Sequence, residues 1–316
     1  MEAATYRRGS ESRQGGPHPP RSPRLPGRPG ARPAARRART RPSGWTAISG
    51  AGYDQTVKRI LMDSTAWLGR SATDVAGGFG RFGAFAARAG RSLPDTRTWL
   101  RLLGEQMTRI GVDSLPIGVF IATFTGIVLA LQASYTFTGA VPLYFVGALV
   151  QKTMIMELGP VLVGLALAGR VGANIAAEIG SMRVTEQIDA LETLAYNPYA
   201  YLVVPRLIAG TLMFPVVVAF ADVTGILAGW VTALNLLDMT SAEFVKGLRL
   251  FFEPFDVRFS LIKASSFGFA VAAIGCYFGF HTRGGAEGVG KATTSAVVVS
   301  SMVILVLDAF WAAALL

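Results

Sequence analysis

The chain has 316 residues, of which 51% are hydrophobic and 16% charged, and its mean hydropathy is +0.43. Soluble chains carry charge on about 25% of their residues; the shortfall here falls after residue 115, in apolar runs longer than the ~18 residues that read as a bilayer span, which excludes an ordinary soluble protein. Eleven of the thirty basic residues lie in 1–44 against Glu2 and Glu11, so nine of the ten excess positive charges belong to that tail and the body is near neutral.

Residues 1–44 combine arginine, eight prolines and glycine with almost no large apolar side chain. Such a segment buries too little surface to offset its ordering entropy, so 1–50 reads as a disordered Arg/Pro-rich tail. Contact with anionic headgroups, nucleic-acid binding, an organelle transit peptide and a dispensable extension all fit that composition. No apolar core of a secretory signal follows it. The single cysteine, Cys276, makes no internal disulfide.

Residues 64–110 read as interfacial, elbow-like helices. Over 64–92, Trp67, Phe79, Phe82 and Phe85 alternate with small residues and with Arg81 and Arg88, as on a membrane surface; Pro94 ends the pattern. Over 98–110, Trp99, Leu102, Leu103, Met107 and Ile110 share one face opposite Arg101, Glu105 and Arg109. A helix packed on protein has the same pattern.

Five spans follow, at about 115–136, 144–181, 201–236, 257–280 and 292–315. The second and third exceed the ~20 residues a bilayer needs, so they tilt, bend at Pro160, Pro205 or Pro215, or project beyond it. The basic tail and Arg109 place the N-terminus in the cytoplasm. Segments 182–200 and 281–291 then face the same side. The fold class is an all-α integral membrane protein: N-terminal interfacial helices, then 111–316 as the membrane domain.

Between spans two and three the sequence changes character. Gly164, Ala168, Gly172, Ala176 and Gly180 recur every fourth residue, a smooth stripe that lets another backbone approach closely. The stripe packs within the subunit or against a second copy; spacing alone serves both. Residues 184–195 then turn polar, with Val184, Ile188, Leu191 and Ala195 on one face and Glu186, Gln187, Asp189 and Glu192 elsewhere, until Asn197-Pro198 closes the segment. A short amphipathic helix on the cytoplasmic side suits docking to a soluble partner or a solvated connector.

The stretch ELGPVLVGLALAGRVGANIAAEIGSMRVTEQIDALE at 157–192, followed by NPYAYLVVPR at 197–206, resembles the signature of the MlaE/YrbE permease family. So do GVDSLPIGVFIATFTGIVLALQ at 111–132, SLIKASSFG at 260–268 and TRGGAEGVGKATTSAVVVSS at 282–301. The resemblance implies a lipid-transporting ABC permease in a bacterial inner membrane, with the plastid envelope as an alternative site. It further implies two permease copies, cytoplasmic ATPase subunits that bind ATP and magnesium, and a periplasmic MCE-domain lipid carrier. On that reading Val184, Thr185, Glu186, Gln187, Ile188, Asp189, Leu191 and Glu192 form the coupling helix that seats in the ATPase. The substrate is a phospholipid, or a sterol-like or solvent molecule, and Leu129, Tyr135, Phe137 and Leu158 line its cavity.

Gly285-Ala-Glu-Gly-Val-Gly290-Lys291-Ala292 nearly spells the phosphate-binding loop, but Ala292 supplies no hydroxyl for magnesium and no strand precedes it. The glycines read as a tight turn, and the chain is expected to bind no cofactor or metal itself. Ionisable groups inside spans are functional hypotheses by default. Counted at ~1.5 Å per residue from the cytoplasmic ends, Glu157, Asp222, Lys263 and Asp308 fall toward the outer half. Glu157 and Lys263 pair with each other or meet lipid headgroups, and Arg170 is placed to meet Glu178 two turns along. An intramembrane enzyme using Glu157, Asp222 or Asp308, or a passive scaffold, are the competing classes. No nucleophile–base spacing supports the enzyme, and His18 and His281 are the only histidines.

Overall fold

A computed structural model describes residues 77–78, 80–136, 142–237 and 239–315. The tail 1–50, Trp67, Phe79 and Phe137 lie outside the described residues. Among the described residues the chain is helical, without strands. A first helix, α1 (80–91), precedes α2 (Thr96–Ile110), a 3-10 turn at Val112–Ser114 and α3 (Leu115–Thr136). Span 2 is α4 (Tyr144–Thr153), a π turn at Met154–Leu158, α5 (Gly159–Leu167), a second π turn at Ala168–Gly172 and α6 (Ala173–Val184). A short α7 (Gln187–Thr193) leads through a π turn at Tyr199–Val203 into α8 (Val204–Leu236). Then come α9 (Ser241–Leu250), α10 (Pro254–Phe280) and α11 (Gly285–Leu315). Five stretches are long and apolar enough to cross a membrane, Thr96–Thr136, Tyr144–Val184, Tyr199–Leu236, Pro254–Phe280 and Gly285–Ala314.

The expected five spans are present, but both flanking helices pack on protein. In α1, Phe85 and Ala89 are buried, and the Phe85 ring meets Tyr199, Tyr277, Phe280 and His281 at the ends of spans 3 and 4. In α2, Ile110 is buried, with Leu103 and Met107 against the core. The helix runs on into span 1, and at Gly111 a Cβ would come 2.1 Å from Met213 Cε of α8. The amphipathic pattern therefore reports a helix face laid on other helices.

Lipid supplies no hydrophobic drive between helices, so close backbone approach holds the bundle. A Cβ on Gly126 would lie 1.9 Å from the Gly225 carbonyl, joining α3 to α8, and one on Gly268 would lie 2.2 Å from the Gly210 carbonyl, joining α10 to α8. The stripe on span 2 is answered within the chain. Gly164 faces Phe267 and Ile304, Gly172 faces Val271 and Ser300, and Gly180 faces Thr282, while Ala168 and Ala176 are fully buried.

Exposed apolar side chains run along α8 from Leu212 to Leu234, a belt of ~33 Å that matches a bilayer's hydrocarbon thickness. Its inner edge is level with Met213, hence with Gly111 and the start of α3. Span 2 is twice as long as the belt is thick, so α6 projects ~20 Å beyond that edge and carries α7 clear of the membrane. At the opposite end, α9 packs on α4, with Gly147 and Gly247 against each other's helix backbones. Thr240 caps α9 in a capping box with Glu243, whose carboxyl is held below the usual range by the Thr240 backbone N–H and hydroxyl. Beside it Lys152 pairs with Asp256 at 2.9 Å.

Candidate functional site

Three of the four intramembrane charges converge. Lys263 of α10 is fully buried, its Nζ 2.5 Å from Asp308 Oδ1 of α11 and 3.0 Å from Glu157 Oε2 of span 2. It also donates to the Met156 carbonyl at 3.0 Å and lies 4.8 Å from the centre of the Phe259 ring. The local cause is Pro160. It has no N–H, so the carbonyl of Met156 four residues earlier loses its α-helical donor, the backbone opens into the π turn Met154–Leu158, and the ammonium takes up the carbonyl. A cation buried in hydrocarbon is tolerated only with partners, and Lys263 has two carboxylates. The charge left over is negative, and it lies on the half-exposed side: Glu157 is 40% and Asp308 21% accessible, against 0% for Lys263.

Asp222 is separate from this group. It is buried between helices, accepts a hydrogen bond from Ser260 at 3.3 Å, and has its other oxygen pressed onto Gly159, where a Cβ would come 1.7 Å from it. That oxygen has no hydrogen-bond partner among the described residues. Asp222 is therefore a helix-packing residue and not part of a cavity wall.

Depth needs correction as well. Asp222 lies ten residues from Leu212 and twelve from Leu234, so it sits at the middle of the apolar belt, and Ser260 and Lys263 sit with it. The count from the cytoplasmic ends overshot outward because the helices begin ~20 Å beneath the membrane. Leu129, expected to line a cavity, is 9% exposed inside the subunit core. Tyr135 is 81% exposed and Leu158 half-buried, so these two remain available to a cavity between subunits.

At the inner edge of the belt lies a second charged group. Glu178 of α6 pairs with Arg109 of α2 at 3.2 Å and with Arg206 of α8 at 2.9 Å. Arg206 is 3% exposed and also donates to the Leu202 carbonyl at 2.7 Å. Arg170 does not meet Glu178; the π turn at Ala168–Gly172 aims it at the Ser114 hydroxyl instead. The sequence reading missed Arg206, although an arginine in the apolar run after Pro205 is the same kind of signal as Lys263.

The segment beyond α6 forms one short helix. Ile188 is buried and Leu191 half-buried, while Glu186, Gln187, Asp189 and Glu192 are exposed; Ala195, expected on the apolar face, is exposed past the helix end. Arg183 pairs with Asp189. Glu186 and Ala195 bracket α7 in the left-handed region, φ 61° and 59°, an unfavourable conformation for residues with a Cβ. Leu194 and Tyr196 are left exposed beside it. The Gly285–Ala292 stretch forms the first turns of α11, with Lys291 paired to Glu287 one turn away. Only Gly284 and Gly285 make the expected turn, at φ 89° and 67°.

An apolar groove of about 920 Å³ runs between α10 and α11, from Trp311 and Ser266 to Tyr277 and Phe82. Trp311 Nε1 donates to Ser266 Oγ at 2.9 Å. None of the residues expected to line a cavity lines it.

The family profile described as Permease MlaE matches residues 103–314. A probable ABC transporter permease protein of Rickettsia conorii is 42% identical over 239 residues, covering 76% of this chain and 92% of its own length. The intermembrane phospholipid transport system permease protein MlaE of Haemophilus influenzae is 34% identical over 252 residues, covering 79% and 96%. The chloroplastic protein trigalactosyldiacylglycerol 1 of Arabidopsis thaliana is 32% identical over 204 residues, covering 65% and 58%.

Proposed function

The chain belongs to the MlaE permease family, and from that premise we propose that it moves phospholipids as the membrane-spanning half of an ABC transporter. It is a multi-pass transport permease and not an enzyme. In the proposed machine two copies of the chain pair in a bacterial inner membrane with the N-terminus in the cytoplasm. A cytoplasmic ATPase drives them, and an MCE-type carrier on the other side exchanges lipid with them. The relative from H. influenzae is named for phospholipid transport, which supports the substrate class.

The observation that carries this reading is α7. It is a seven-residue helix held ~20 Å beyond the apolar belt, acidic on its free side, seated on the bundle through Ile188 and bracketed by two strained residues. Strain of about 1–3 kcal/mol at each bracket persists where a fixed shape is required. The exposed Glu186, Glu192, Leu194 and Tyr196 offer a partner acidic groups around an apolar contact, so the complementary ATPase surface is basic.

The test is the Glu186→Lys, Asp189→Lys double variant, reconstituted with the ATPase subunit of the same transport system. ATPase association falls at least tenfold and lipid transfer between vesicles is lost, while the permease alone melts at the wild-type temperature. Undiminished association would remove α7 from the docking surface.

A further inference from the structure

A polar cleft of about 560 Å³ opens between α2 and α6, lined among others by Arg170, Asp113, Asn174 and Ser181. We propose that it binds the headgroup of a zwitterionic phospholipid from the leaflet on the α7 side, phosphate on Arg170 and ammonium on Asp113. The proposal deepens the lipid-transport reading above and rests on it for the presence of that lipid.

Depth is the first argument. Arg170 reaches Ser114, the residue before α3, and that level is the inner edge of the apolar belt, where the phosphates of a leaflet lie. The second is unspent charge. Lys152, Arg183, Arg206 and Lys263 each meet a carboxylate. Arg170 meets a hydroxyl, and that hydroxyl itself donates to the Ile110 carbonyl. A guanidinium has five N–H donors and stays charged, so Arg170 faces the cleft with its positive charge unneutralised and most of its donors free. Asp113, in the turn Val112–Ser114, is exposed and has no partner among the described residues. Arg109, on the same wall, is already taken by Glu105 and Glu178.

The cleft thus presents one open cation and one open anion. A phosphodiester carrying an ammonium satisfies both. A purely anionic headgroup satisfies Arg170 and is repelled by Asp113, so the pair selects charge pattern and not charge alone. Leu165 and Leu162, half-exposed and further into the membrane along span 2, give the acyl chains an apolar continuation.

The experiment uses the full chain reconstituted in vesicles of equal phosphatidylethanolamine and phosphatidylglycerol, extracted in mild detergent, with retained lipids counted by mass spectrometry. Wild type retains phosphatidylethanolamine in excess over its share of the vesicle. Arg170→Gln lowers that retention about tenfold, the scale of one charge-assisted hydrogen bond, and Arg170→Lys recovers part of it. Asp113→Asn keeps a lipid but shifts the preference toward phosphatidylglycerol. Wild-type retention by Arg170→Gln overturns the proposal. So does displacement of the lipid by millimolar inorganic phosphate alone, which makes the cleft a free-anion site. Loss of dimer with unchanged lipid per chain overturns it too, because the cleft is then a contact with a second copy. Lost retention with intact vesicle-to-vesicle transfer leaves the site standing and severs it from transport; intact retention with lost transfer sinks the site and leaves the transport reading untouched.

Discussion

Glu157 and Arg170 both sit in π turns of span 2, about 20 Å apart along its axis, and the fold treats them in opposite ways. Glu157, near the middle of the apolar belt, is one of two carboxylates closed on the buried Lys263. Arg170, at the inner edge, is given a hydroxyl and a polar cleft. Hydrocarbon leaves a charge only protein partners, so the mid-belt charges are matched. At the headgroup level water and phosphates compete as partners, and an open charge is tolerable there. The same backbone device, a turn widened by one residue, thus serves closure at one depth and presentation at the other.

The largest expected effect breaks the closed end. Glu157→Gln with Asp308→Asn strands Lys263 inside the bundle, and removing the partners of a buried charge costs about 3–5 kcal/mol. Thermal unfolding in detergent reads this as a large drop. Adding Lys263→Met restores most of it, because no unpaired charge then remains. Glu157→Gln alone costs much less, since Asp308 still holds the ammonium. A single substitution as damaging as the double would show that Asp308 is no true partner.

A middle case sharpens the comparison. Glu178 stands at the same inner edge as Arg170, but one of its partners, Arg206, is 3% exposed. Glu178→Gln leaves that guanidinium its bond to the Leu202 carbonyl and no counter-charge. Glu178 is itself 42% exposed, so solvent offsets part of the loss. The expected destabilisation is at the lower end of the ~1–3 kcal/mol for stranding a buried polar group. Arg206→Met in the Glu178→Gln background recovers stability if burial of Arg206, and not the contact to Arg109, sets the cost.

Apolar run length made the five spans legible, since nothing else supports runs of that length and composition. The stripe from Gly164 to Gly180 was legible as a packing face, but spacing says only that something approaches; that spans 4 and 5 do so depends on tertiary contacts. Helix α9 carried a readable signal, Thr240-Ser-Ala-Glu243, the capping-box spacing, hidden in a segment read as a charge-balanced connector. Lys263 and Glu157 were legible as costly groups, and Asp308 was noticed without being paired to them. Pairing across three helices needs rotations and depths that one sequence does not encode locally, and helices projecting beneath the membrane made every depth counted from their ends too large.

The smallest expected effect belongs to Arg170. In detergent stripped of phospholipid, Arg170→Gln is expected to change stability by no more than about 0.5 kcal/mol, the range of substitutions away from buried pairs. Ser114, fully buried, keeps its bond to the Ile110 carbonyl, so no buried polar group is stranded by the change. The lost interaction is one between a half-exposed guanidinium and a neutral hydroxyl, and water takes the hydroxyl's place. Added phosphatidylethanolamine then separates the two proteins. A ligand bound only by the folded state raises its melting temperature with concentration, so wild type climbs with lipid while Arg170→Gln stays nearly flat. A large loss for Arg170→Gln in the lipid-free state would mean that the inner π turn is closed like the outer one, with Arg170 holding span 1 to span 2, and the contrast between the two depths would disappear.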